Sequence, residues 1–467
     1  MESLNLKQAT AVIINTCLGS GFLVIPYVFL NIGTLASIAI LAILTFFSIV
    51  TGLMIIETLS RAEAAKSMME DGVALPKVSF GDLLRAPKKE GLLDKGAYKP
   101  HISSERKFEL LEICEVFLGD VGKKIFSFIM TVEIDGLLCS YIMIAVTSFL
   151  DNVPLGPFST CNIYETTSLL TECRIKYWVW LCIVASLFLL ITLKEIREQK
   201  FIQMASTYLR AIILGMMIVT SGVSVILDLP LNSSLPKEQG TFSLTHLATG
   251  IAVLQCTTIF HNVLPSLIQN LSNKEENSKK AVIIGCSGVA VFCGVMGVVC
   301  SKAFEGYSVL SLSTLAWSGY DASIFPRPFW TRIVEFMVIL FPALNMFTSA
   351  PINAIVLSEN VVSYLPTHLK TRFSRKQLLV TTKMCVWAVP LVLNVFFYDM
   401  GKVTAFLGLC SFIVMFINGA LNFLVSRRKV TQKSQFEGWH SSDILAWFII
   451  VISSVILSTN FYFIYIH

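Results

Sequence analysis

Charge is scarce in this chain. Only 14% of its 467 residues are Asp, Glu, Lys or Arg, whereas 54% are hydrophobic and the mean hydropathy is +0.70. So much apolar surface cannot be hidden inside ordinary water-soluble domains, which excludes them and leaves an integral membrane protein. Alternating apolar and polar residues in runs of about ten, the mark of a membrane barrel, are also lacking, so the spans are helices. No G-x-x-x-x-G-K-[ST] is present, and in "GDVGKK" at 119–124 the glycines stand too close for a phosphate cradle. With no H-E-x-x-H either, the nucleotide-hydrolysing and zinc-peptidase motifs are missing, and no enzyme is expected. The net charge of +5 reflects where loops sit rather than any affinity for nucleic acid.

What is present is a series of long apolar runs, each near the roughly 20 residues that a spanning helix needs. Eleven spans are expected, at about 8–30, 33–58, 123–150, 176–193, 201–227, 243–268, 280–303, 328–358, 379–398, 401–426 and 443–465. They form one transmembrane domain over 1–467. The first run is too long for a cleavable signal and is expected to stay.

Lysine and arginine orient the spans. Loops assigned to the cytosol carry the basic residues from Arg61 to Lys107, then Lys194, Arg197 and Lys200, Lys274, Lys279 and Lys280, Lys370, Arg372, Arg375 and Lys376, and Arg427, Arg428, Lys429 and Lys433. The opposite loops carry only Arg174, Lys176, Lys237, Arg327 and Lys402. The positive-inside rule then puts the N-terminus in the cytosol and His467 on the far side. Cys161 and Cys173 share a non-cytosolic loop, where a disulfide is expected, and Asn232 in "NSS" is a glycosylation acceptor on the same side.

The stretch 59–122 is the one change of composition, with mixed charges and prolines at 76, 87 and 100. Its end, "FELLEICEVFLG" at 108–119, spaces apolar residues helically between glutamates, so an amphipathic helix on the membrane surface is expected there. The loop is either a solvated linker or a docking place for a regulatory partner.

Two spans are interrupted. "NTCLGSGFLVIP" at 15–26 holds two glycines, a serine and a proline within eight residues, and "AVLQCTTIFHNVLPSLIQNL" at 252–271 has a polar, poorly helical middle before its own proline. They stand in corresponding positions of two halves, spans 1–5 (about 8–227) and 6–10 (about 243–426), with span 11 (443–465) added. Five is odd, so the second half enters the membrane from the opposite side. Such paired breaks point to an inverted-repeat transporter whose site lies at the midplane.

An unwound helix leaves N–H and C=O groups that lipid cannot satisfy, so each break must face protein, water or a ligand. Around Asn15, Thr16, Gly19, Ser20 and Gly21 the N–H groups sit at the positive end of the following half-helix and suit a carboxylate. Around Gln255, Thr258, Ile259 and His261 the carbonyls ending the first half of span six suit an ammonium or a small cation. A zwitterion such as an α-amino acid fits between the two.

Further candidates lie in other spans. Asn345, Thr348 and Ser349 are spaced to offer oxygens to a sodium ion facing the first break, or to bond between helices. The intramembrane carboxylates are Glu133, with Asp135 two residues on, and Glu335, placed near Arg332. His261, whose ordinary pKa is about 6.5, is a candidate for a coupling proton. Cys286, Cys293 and Cys300, among Gly285, Gly288, Gly294 and Gly297, form a small-residue packing face, and no metal is expected there because no histidine or carboxylate joins them.

"NTCLGSGFLVIP", "FHNVLPSLIQNL", "LFPALNMFTSAPI" at 340–352 and the order of spans together resemble the amino acid/auxin permease family, within the amino acid, polyamine and organocation superfamily. The resemblance covers essentially the whole chain. It implies an all-α, LeuT-like 5+5 inverted repeat with an eleventh helix, moving amino acids by alternating access with a proton or sodium gradient and no other cofactor. The family's span-one motif falls on Asn15, Gly19, Ser20 and Gly21, and its span-six histidine and proline on His261 and Pro265. Where many relatives carry an acidic residue after that proline, this chain has Gln269 and Asn270. An amino-acid sensor of the same fold that moves no substrate is the alternative reading. The membrane is either the plasma membrane or that of an endolysosomal or vacuolar organelle.

Overall fold

The computed structural model describes residues 4–19, 21–84, 98–103, 108–153, 163, 172–193, 200–231, 243–324, 326–365, 367–398 and 400–466. Ser20, Cys161 and Asn232 lie outside them, and with Cys161 the expected pairing to Cys173.

Helix α1 (Leu6–Cys17) starts on a capping box in which Asn5 and Gln8 bond each other's backbone. A 3₁₀ turn, Gly21–Val24, leads into α2 (Ile25–Ile32), with Pro26 in its first turn where a missing N–H costs nothing. Then come α3 (Thr34–Glu70), the short α4 (Phe80–Leu84), α5 (Leu110–Asn152), α6 (Glu172–Leu193), α7 (Lys200–Leu227), α8 (Leu244–Cys256) and α9 (Leu264–Gln269). The second half runs through α10 (Lys274–Ala303), α11 (Phe329–Tyr364), α12 (Thr367–Arg372), α13 (Arg375–Cys385) and α14 (Ala388–Phe396). It closes with α15 (Met400–Ser411), a π segment (Phe412–Ile417), α16 (Asn418–Lys429) and α17 (Asp443–Tyr465).

The protein is an all-α membrane protein. Among the described residues nine helices are long and apolar enough to cross a bilayer, and the pair Leu6–Cys17 and Gly21–Ile32, bent by 51° at its break, makes a tenth span if counted as one. The stretch expected as a span at 243–268 is not one helix. Its first piece, α8, has 13 residues and extends only about 20 Å, short of a hydrocarbon core of roughly 30 Å.

Two boundaries differ from expectation for visible reasons. Helix α3 continues past 58 to Glu70 because Glu57, Ser60, Arg61 and Glu63 are buried rather than solvated. The segment 108–119 is continuous with the following span through Gly119, whose φ of 73° bends the helix there. Phe108, Leu110, Leu111, Ile113, Cys114 and Phe117 on this segment are buried, with Cys114 Sγ 3.3 Å from Asn418 Oδ1 of α16.

The two broken spans, α3 and α10 form the centre. On α10 the small-residue face does the packing: a Cβ on Gly285 would lie 2.7 Å from Ile13 of α1, and one on Gly297 2.7 Å from Phe29 of α2. Helices α5 and α11 pack side by side against this group, while α6, α7 and α17 turn residues such as Leu190, Ile226 and Ile444 outward, as lipid-facing helices do.

One end of the centre is cross-tied. Leu4 N donates to Asn270 O and Ser272 N to Leu4 O, both at 2.8 Å, so the N-terminal residues are stitched to the chain following α9. Gln269 Nε2 donates to Phe108 O at 2.7 Å while its Oε1 accepts from Phe108 N at 2.8 Å. An amide does both and a carboxylate cannot, which explains physically why glutamine suits this position. Nearby, Arg61 pairs with Glu57 and, at 2.8 Å, with Glu437, while Lys279 Nζ donates to Glu437 O at 2.9 Å. Burial, and then the charge of Lys279, draws the His440 imidazole in this cluster down to about 4, so it is neutral near pH 7.

The packing distinguishes two glycines sharply. A Cβ on Gly408 of α15 would land on the Ala252 backbone of α8, 2.8 Å from its Cα, whereas one on Gly294 meets nothing within 4 Å. In thermal unfolding of the purified protein, Gly408→Ala should lose about 1–3 kcal/mol of stability by overpacking, and Gly294→Ala should lose none.

Candidate functional site

The two interruptions meet. Helix α1 ends at Cys17, and the next described turn opens at Gly21; α8 ends at Cys256, and residues 257–263 lead to α9, with Pro265 in its first turn. A Cβ on Gly21 would lie 3.1 Å from both Cys256 Cβ and Thr257 Cγ2. Gly21 is therefore a point of close approach between the breaks. A Cβ on Gly19 would find only ordinary contacts, 3.6 Å to the Tyr141 hydroxyl and 3.7 Å to Thr16 O. Neither glycine has a positive φ, so space rather than backbone strain sets their side-chain requirement.

The backbone groups freed by the breaks are partly satisfied from within. At the end of α8, Leu254 O accepts from Thr257 N and Oγ1 (3.2 and 2.7 Å), and Gln255 O from Thr258 N and Oγ1 (3.0 and 2.9 Å). Those two carbonyls are thus less available to a ligand than the sequence alone suggested. Gln255 is fully buried, its Nε2 donates to Met415 Sδ at 3.5 Å, and its Oε1 has no hydrogen-bond partner. Ile259 is half-buried beside them.

At the end of α1 the partner is Arg210 of α7. Its Nη1 donates to Asn15 O at 3.2 Å and to Leu18 O at 3.1 Å, and its Nη2 donates to Asn345 Oδ1 of α11. Arg210 is not among the residues expected from the motifs. The signal was there, a single basic residue well inside the apolar run 201–227, and the rule applied to intramembrane carboxylates applies equally to it. Tyr141 of α5, beside Gly19, was also missed, since a tyrosine in an apolar run carries no pattern of its own.

The other candidates are placed as follows. Thr16 Oγ1 donates within its own helix to Val12 O at 2.8 Å, and Thr348 Oγ1 to Asn345 O at 2.7 Å. Ser349 is half-buried on the same helix. His261 lies against α3: its Nε2 is 2.8 Å from Thr51 Oγ1, which also donates to Phe47 O at 2.8 Å. With the Thr51 proton on Phe47 O, Nε2 is the donor to Thr51. Glu133 is buried, with Oε1 2.7 Å from Ser411 Oγ at the start of the π segment and Oε2 without a partner. Glu335 pairs with Arg327 and accepts from Gly319 N at 2.5 Å, so its cation is Arg327 and not the neighbouring Arg332.

The first break thus lies against the second, with Tyr141 beside Gly19 and with Arg210 joining the end of α1 to Asn345. Comparison with known proteins gives the chain a family. The profile described as "Transmembrane amino acid transporter protein" matches residues 2–466. The chain belongs to the transmembrane amino acid transporter family. Among curated proteins it is similar to Transmembrane protein 104 of Homo sapiens, 24% identical over 388 residues, covering 74% of this chain and 72% of that one. The Pongo abelii protein of the same name is 25% identical over 388 residues, with the same coverage. The Drosophila melanogaster homolog is 24% identical over 391 residues, 75% of this chain and 74% of its own. The resemblance to the amino acid permeases drawn from the motifs thus holds along the whole chain.

The contact geometry separates the two glycines of the first break. Gly21→Ala must push into Cys256 and Thr257 and should lower the thermal stability of the purified protein by about 1–2 kcal/mol. Gly19→Ala has room and should leave it unchanged.

Proposed function

We propose that this chain is a secondary active transporter of amino acids, working by alternating access, with the substrate held where the two broken helices meet. The observation that carries the reading is the close approach of Gly21 to Cys256 and Thr257, where an added Cβ would lie 3.1 Å from each. In this reading α1 to α7 and α8 to α16 are the two five-span halves of a LeuT-like inverted repeat, α17 is an added eleventh span, and α8 with α9 is a broken one.

The substrate carboxylate is assigned to the N–H groups of Gly19, Ser20 and Gly21, at the positive start of the turn leading into α2. Its ammonium is assigned to the carbonyls of Thr258 and Ile259 and to the unpartnered Oε1 of Gln255. Asn15 and Thr16 border the site from α1. The coupling ion is taken to be a proton, carried by Glu133, a buried carboxyl that makes no ion pair among the described residues. A charge without a counter-ion at that depth is costly, so Glu133 is suited to gaining and losing a proton as the site opens to either side.

The basic loops orient the chain with its N-terminus in the cytosol and its C-terminus outside it, in the plasma membrane or an endolysosomal or vacuolar membrane. The same orientation puts Asn232 where it can be glycosylated and Cys161 and Cys173 where they can form a bridge. The stretch 59–122 is left as the place for any regulatory partner.

Uptake into proteoliposomes tests the site. Wild-type protein should accumulate amino acids under an imposed pH gradient, and Gly19→Val should reduce uptake per folded molecule by more than tenfold, because its branched side chain would enter the space beside the Tyr141 hydroxyl. Normal specific uptake in Gly19→Val would remove the carboxylate assignment. Saturable binding without uptake in the wild type would make the chain a sensor.

A further inference from the structure

The resemblance to amino acid permeases leaves sodium open as the coupling ion, with Asn345, Thr348 and Ser349 of α11 facing the first break as its ligands. A sodium ion needs several oxygen lone pairs turned towards one point. Between the end of α1 and α11 lie such oxygens: the carbonyls of Asn15 and Leu18 on one side and Asn345 Oδ1 on the other. All three accept hydrogen bonds from Arg210, whose Nη1 takes the two carbonyls (3.2 and 3.1 Å) and whose Nη2 takes the amide oxygen. The Thr348 hydroxyl donates to Asn345 O within its own helix at 2.7 Å. The residues present do not fit a sodium ion.

Charge makes the same point as geometry. The carbonyls at the end of α1 are the negative pole of a half-helix, and a cation there is favourable. Arg210 supplies it permanently, since a guanidinium does not give up its proton in proteins. It is buried, with 7% of its surface exposed, so a second cation beside it would meet an unscreened like charge. The planar fork also explains the residue type: two donors on one nitrogen reach α1 while the other nitrogen reaches α11, a division that a lysine ammonium at the end of a flexible stem does not hold in one plane.

We infer that Arg210 is the fixed cation of this site, seated where a coupling sodium would otherwise lie, and that the chain binds no sodium there. Arg210 is a positioning residue in this role: it ties the broken end of α1 to α11 and neutralises the freed carbonyls. The inference deepens the transport reading, on which its meaning for coupling rests, but its test needs no transport.

Purified full-length protein is titrated with ²²Na⁺ in a scintillation proximity assay, and its melting temperature is compared in sodium chloride and choline chloride at equal ionic strength. Wild type should show no saturable ²²Na⁺ binding and the same melting temperature in both salts. Arg210→Ala uncovers the three oxygens, and its melting temperature should rise in sodium relative to choline. Saturable ²²Na⁺ binding by wild type, or sodium-dependent stabilisation of it, overturns the inference. An Arg210→Ala protein that folds and is indifferent to both salts contradicts the view that the guanidinium fills a cation seat; should that variant not fold, the wild-type titration decides alone. Failure of the transport reading is a separate result, an absence of amino-acid uptake, and leaves the sodium measurement untouched.

Discussion

Every backbone polar group taken out of a helix inside a membrane has to find a partner there, and the centre of this protein is built around that requirement. Two helices are unwound close to one another, and each break is answered by a different device. At α1 the answer is a guanidinium from a neighbouring helix, reaching the carbonyls of Asn15 and Leu18. At α8 it is local, two successive threonines folding their hydroxyls back onto Leu254 and Gln255. Beside the second break the buried Gln255 Oε1 remains without a hydrogen-bond partner.

The surroundings hold the breaks still. Glycines on α10 let Ile13 and Phe29 sit against its backbone, so both halves of the first broken span rest on one continuous helix. At the end proposed to face the cytosol, the pairing of Leu4 with Asn270 and Ser272, the Gln269 clamp on Phe108 and the Arg61, Glu57 and Glu437 cluster tie together α1, α3, α5, α9 and the connection before α17. In the proposed alternating-access cycle, opening on that side would require these ties to part.

The interruptions were legible because they violate what a spanning helix needs: glycine, serine and proline crowded at 19–26, and a polar run before Pro265. Family membership followed from the same motifs. Less could be read of the partners, because partners are made by packing and not by order along the chain. Arg210 is far in sequence from Asn15 and from Asn345, and nothing local marks it as the residue that joins them. Gln269 looked like the loss of an acidic group and is instead an amide that both donates and accepts. Hydropathy placed the end of the second span near 58, since Glu57 and Arg61 read as solvated until their burial together was seen. The bond of His261 to Thr51 of α3 is likewise made by packing and has no mark in the local sequence.

The central claim is that the two breaks act as one site. Hydrogen exchange by mass spectrometry, on the purified protein with and without a mixture of the common amino acids, tests it most directly, because unwound N–H groups exchange readily unless a ligand covers them. Peptides spanning 15–26 and 254–265 should both gain protection on addition of the amino acids, over the same concentration range, while peptides from α17 stay unchanged. Protection of neither peptide, or of one without the other, would contradict a shared substrate site.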